Sequence, residues 1–194
     1  FDALSQDDRI DYLLFANRLR YELRSLELEE EERAETLAAV PFGDEIAALQ
    51  ITRRGLSRID PEEAAGRLVA LKEIVDEVRA SLKAGLAEEP DALGEGVPDL
   101  DRIVANRAAG DVRGLRDALE SWYRYAAGYD PLFTWWASEP YEELDGTLED
   151  YARFLREDVA GVDEDDTDTI VGDPIGREAL LAELEREWIP YTPE

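Results

Sequence analysis

Between Asp60 and Leu86 the apolar residues recur at helical spacing. Leu68, Leu71, Ile74, Val75, Val78 and Leu82 form one stripe, because steps of three and four residues return side chains to the same face of an α-helix. The start is equally specific. Asp60 precedes Pro61, with Glu62 and Glu63 in the first turn. That is a cap, a proline where no N–H is needed, and acids that complement the helix dipole. A helix of about 61–86 with one apolar stripe must bury it against other helices, so this segment points to a bundle.

The rest of the chain agrees. Ser5 with Asp8 makes an acidic variant of the capping box. The helix after it carries Ile10, Leu13, Leu14, Leu19 and Leu23 and is predicted to end near Glu27. A second covers about Leu28–Ala39 and stops before Pro41. Phe42–Arg54 is a third. Gly94-Glu95-Gly96-Val97-Pro98 is the clearest loop. Asp99 is the predicted cap of the next helix, whose core candidates are Ile103, Val104, Leu115, Leu119 and Trp122, with Gly110 and Gly114 as interruptions. Gly128–Pro131 is a turn, Leu132–Ala137 a short aromatic helix, and Ser138 or Pro140 opens another through Leu155 to near Gly161. Arg177–Glu187 closes the series. Alternating strand patterns and internal repeats are absent. The expectation is an all-α, irregular bundle of about seven to nine helices. It divides into subdomains 1–94 and 99–194, joined at the Gly94–Pro98 loop.

Composition narrows the function. The 194 residues hold 48 acids and 21 bases, a formal net charge of −27. Such a surface repels nucleic acid and anionic membrane. No run approaches the roughly 18 apolar residues of a membrane span, and Phe1–Ser5 shows no signal-peptide pattern. The chain opens without Met and stops at Thr192-Pro193-Glu194; both ends read as cuts through a longer protein. There is no Cys and no His. Thiol chemistry, a His-based triad and an H-E-x-x-H zinc site are excluded within these residues.

Three motifs have ordinary explanations. Asp7, Asp8 and Asp11 match a magnesium-binding D-D-x-x-D pattern, but acids in a first turn also serve the helix dipole. Asp163–Asp168 begins like a calcium loop, yet Asp168 and Pro174 stand where an EF-hand needs Gly and Glu. A solvated loop or a loose Ca²⁺ site remain the two readings. Gly172–Arg177 precedes a helix but lacks the phosphate-loop pattern. More informative are Trp122, Tyr123, Tyr125, Tyr129, Phe133, Trp135, Trp136 and Tyr141. One helical face cannot bury so many rings, so some are expected to line a cleft or interface and others to pack a helix junction.

Three blocks carry a family resemblance. Leu4-Ser5 with Asp8-Arg9-Ile10-Asp11-Tyr12 is the first. Trp122–Tyr125, Tyr129-Asp130-Pro131-Leu132-Phe133-Thr134-Trp135-Trp136, Pro140-Tyr141 and Leu144 form the second. The third, the most specific, runs from Ile170-Val171-Gly172-Asp173-Pro174-Ile175-Gly176-Arg177-Glu178-Ala179-Leu180 into Glu187-Trp188-Ile189-Pro190-Tyr191-Thr192-Pro193-Glu194. Together they resemble the amino-terminal part of the bacterial domain-of-unknown-function 885 family; about 25–98 matches only in helical character. Members resemble zinc metallopeptidases of the gluzincin type, with a His-Glu pair and a Gly-His farther along. The resemblance implies a zinc-dependent parent hydrolase acting on peptides through zinc-activated water and a Glu base. It places zinc and all catalytic and metal residues on a carboxy-terminal segment absent here, this chain being inactive alone. It implies that these helices form one wall or lid of a deep substrate channel, with Trp135, Trp136 and Tyr191 as candidate wall residues. The alternative is a stand-alone acidic helical module binding a basic partner. Exposure of Trp188, Ile189 and Tyr191 separates the two: exposed, they imply a missing domain, and buried, a self-sufficient module.

Overall fold

The computed structural model describes residues 1–55, 58–87, 100–163 and 169–191. Among these are six α-helices, one π-helical turn and no strand. The helices are α1 (Gln6–Thr36), α2 (Gly43–Arg54), α3 (Pro61–Ala87), α4 (Arg102–Ala127), α5 (Pro131–Phe154) and α6 (Gly176–Arg186); the π-turn is Leu155–Val159. The all-α class holds. The count falls below seven to nine because two predicted breaks are bridged.

The first is at Leu28. No Gly or Pro interrupts residues 6–36, so α1 continues to Thr36. The second is at Pro140, inside α5. A proline in a helix interior costs about 3 kcal/mol. Phe133 and Ala137 before it, and Leu144, Leu148 and Tyr151 after it, are all buried. Each large apolar side chain so buried contributes about 1.5–3 kcal/mol, which outweighs one lost hydrogen bond. Gly110 and Gly114 likewise fail to interrupt α4.

The contacts gather the chain into two compact units, one of Phe1–Glu35 with Gly172–Glu194 and the other of Thr36–Val171. The expected division into 1–94 and 99–194 is not the one the packing makes. α3 precedes the Gly94–Pro98 loop and α5 comes after it, yet they pack together within the second unit. That loop and the predicted cap Asp99 lie outside the described residues. The cap of α4 is Asp101, whose Oδ1 accepts from the N–H groups of Ile103 and Val104 at 2.8 Å each.

In the second unit α5 packs on both α3 and α4, and α2 packs on α4. Phe42, Ile46, Leu68, Leu71, Val75, Leu119, Trp122, Phe133, Leu144, Leu148 and Tyr151 are all buried in one core. The Tyr151 hydroxyl donates to the Ala39 carbonyl at 2.6 Å, fastening α5 to the segment ahead of α2.

The first unit consists of α1 and α6. Ser5 Oγ accepts from Asp8 N–H at 3.2 Å, and the Asp8 carboxylate accepts from Ser5 N–H at 3.3 Å, the reciprocal box predicted from sequence. One face of α1 meets α6: Asn17 Nδ2 donates to Arg186 O at 3.0 Å, Tyr21 donates to Glu183, and Arg24 pairs with Glu178. The opposite face carries Tyr12, Phe15, Leu19, Leu23 and Leu26, all exposed.

Candidate functional site

The aromatic residues of α4 and α5 divide between core and surface. Asp130 starts α5: its Oδ1 accepts from Leu132 N–H at 2.9 Å and Phe133 N–H at 3.3 Å, with Pro131 in the first turn. This cap fixes the turn between the helices, and the Thr134 hydroxyl reinforces it by donating to Ala127 O at 2.8 Å. Trp122 and Phe133 are thereby brought edge to face, centroids 5.3 Å apart, in the core. Tyr123 of α4 stacks on Tyr141 of α5 at 3.9 Å, the rings 2° from parallel. Burial, and then the charge of Asp145, raise the Tyr141 phenol above its ordinary pKa.

The remaining rings face outward. Tyr125 and Tyr129 line a cavity of about 460 Å³ with Arg58, Ile59, Asp130 and Phe133. Tyr129 is 92% exposed, and the Arg53 guanidinium lies 5.5 Å from the Tyr125 ring centre. The lining combines three aromatic rings and the apolar Ile59 and Ala126 with the charged Arg58 and Asp130. Such a cavity suits a flat or apolar group presented by a partner.

Of the candidate wall residues, Trp135 and Trp136 sit together on α5, rings at 5.0 Å and 84°. Both are exposed, Trp135 at 74%, but neither lines this cavity. Tyr191 belongs to the first unit and is 77% exposed. Arg58 and Ile59 carry no local sequence signal for this role. They reach the cavity from the segment before α3, a long-range placement that spacing cannot reveal.

The other motifs resolve simply. Asp8 is occupied by the cap of α1. The helix after Gly172–Arg177 begins at Gly176, in a left-handed conformation with φ of 77°. The acidic stretch 164–168 lies outside the described residues. Among the described residues no three His, Cys, Asp or Glu side chains converge to hold a metal ion. No described helix is long and apolar enough to cross a membrane.

No protein-family model matches the chain, and no curated protein or solved structure is detectably similar to it.

Proposed function

We propose that this chain is the non-catalytic helical module of a zinc-dependent, metallopeptidase-like hydrolase and builds part of its substrate cleft. The supporting observation is the outward display of apolar rings on helices whose opposite faces are fully packed. Tyr125, Tyr129 and Trp135 are exposed within eleven residues of a chain that buries Trp122 and Phe133 beside them. Trp188, Ile189 and Tyr191 are exposed too, as a surface meant to be covered would be. Trp135 and Trp136, with Tyr125 and Tyr129, are the proposed wall residues of the second unit, and Tyr191 is that of the first. Zinc and the general base belong to another segment of the parent protein, and a peptide is the substrate class.

The test is peptidase activity of these 194 residues and of the parent gene product, each with zinc and with a chelator. Activity from the parent alone, lost with chelator, supports the proposal. Chelator-insensitive activity from the 194 residues overturns it.

The carboxy-terminal half of α1 favours a second function, an acidic interaction module for a basic partner. Glu27, Glu29, Glu30, Glu31, Glu32 and Glu35 are all exposed there, against Arg24 and Arg33. Salt-sensitive binding of a Lys-rich peptide, weakened by replacing Glu29–Glu32 with Gln, would favour it. Binding indifferent to salt would count against it.

A further inference from the structure

In a chain with 48 acids and 21 bases, a cluster of arginines in one place is itself a departure from the average surface. One cleft in the second unit holds such a cluster. It has a volume of about 340 Å³, and its walls include Arg113, Arg116 and Asp117 from α4, Arg153 from α5, and Arg156 and Glu157 from the π-turn. Arg116 is paired. Its Nε and Nη2 donate to the two Asp145 oxygens at 2.7 and 2.9 Å, and Nη2 also lies 2.9 Å from Glu149. The Asp145 hydrogen bond raises its pKa and holds it charged. Arg153 pairs with Asp150 at 3.1 Å.

Arg113 and Arg156 differ. Neither guanidinium makes an ion pair or hydrogen bond among the described residues, and the Arg156 Nε is buried with nothing to donate to. A buried donor left unmet is destabilising, more so on a charged group. Two guanidiniums without carboxylates, in so acidic a chain, leave room for an acceptor from outside.

The backbone adds an independent observation. Arg156 and Glu157 sit on the π-turn Leu155–Val159, closed by Ala160 N–H to Leu155 O at 2.9 Å. A π-turn inserts a residue into the helical register and re-aims the side chains beyond it. It is less favourable than a regular turn and occurs often at functional sites.

We infer that this cleft binds the oxyanion group of a small molecule, a phosphate monoester or a carboxylate, with Arg113 and Arg156 as its donors. The planar guanidinium fork matches either oxyanion. Asp117 and Glu157 are placed to accept hydrogen bonds from hydroxyl or amino groups elsewhere on the ligand. The net charge of −27 repels anions at long range, but screening within about 10 Å at 0.1 M salt leaves the local guanidiniums in control. The inference is independent of the metallopeptidase proposal.

The experiment is calorimetric titration of the whole 194-residue chain with inorganic phosphate and, separately, with acetate, at constant ionic strength. Saturable binding by at least one, at roughly millimolar affinity, is the expected result. Phosphate alone assigns a phosphate ester; acetate as well assigns a carboxylate. Arg113→Gln and Arg156→Gln should each weaken binding about tenfold. Arg18→Gln, on the exposed Arg18–Glu22 pair, should leave it unchanged. Arg113 is exposed, so its variant decides the matter if Arg156→Gln impairs folding. No saturation by either anion up to about a hundred times the expected dissociation constant, or undiminished binding in Arg113→Gln, overturns the inference.

Discussion

α1 and α5 have similar numbers of large apolar residues, yet one builds a core and the other does not. In α5 the apolar residues Phe133, Ala137, Leu144, Leu148 and Tyr151 lie along one buried stripe. In α1 they fall on two opposite sides. Ile10, Leu14, Tyr21 and Leu28 share the side that holds Asn17, while Tyr12, Phe15, Leu19, Leu23 and Leu26 share the other, where Phe15 and Leu23 are each 64% exposed. Apolar content alone does not make a core. A helix with two apolar faces needs two neighbours, and within its unit α1 has α6.

The contrast can be broken most sharply by truncation. Leu148→Ala should cost about 2–5 kcal/mol in urea unfolding, whereas Leu23→Ala should stay within about 0.5 kcal/mol. Equal losses would mean that α1 is buried in solution. Tyr151→Phe should cost about 1–2 kcal/mol by leaving the Ala39 carbonyl without its donor. Burial raises the Tyr151 pKa above its ordinary value. The folded state therefore keeps the phenolic proton where the unfolded chain releases it, above about pH 10. Stability should fall as pH rises past that point, and Tyr151→Phe should flatten the decline.

Capping sharpens the comparison at smaller scale. Asp101→Ala should lower stability by about 1 kcal/mol, because α4 is bound into a cooperative core. Ser5→Ala should lower the helical circular dichroism of α1 with little change in the main transition. The smallest effect has the opposite sign. A Cβ at Gly110 or Gly114 would meet nothing within 4 Å, so either Gly→Ala change should stabilise α4 by about 0.5–1 kcal/mol.

The features legible in the amino-acid sequence are local ones. The Ser5–Asp8 box, the Asp60 cap with Pro61, and the Asp130–Pro131 turn all depend on residues within four positions, and the structure has each. Where sequence and structure part, distant partners decide. Pro140 reads as a helix start because its cost is local, while the burial that outweighs it comes from α3 and α4. The division at 94–99 tracks a loop, whereas packing tracks α3 against α5. Trp135 and Trp136 are exposed, but the cavity in their unit belongs to Tyr125 and Tyr129, since ring direction depends on helix rotation. The arginine cleft has only a faint signal, the paired spacings Arg113/Arg116 and Arg153/Arg156. No spacing rule shows which of these would lack a carboxylate.

The division of the tryptophans has an optical consequence. Only Trp122 is enclosed, while Trp135, Trp136 and Trp188 are exposed. Three of four indoles already emit from a watery environment in the folded protein. Total fluorescence should therefore shift little to the red on denaturation, and iodide should quench most of it before unfolding begins. The unquenched, blue-shifted remainder is the emission of Trp122, a single built-in lamp for the core of the second unit.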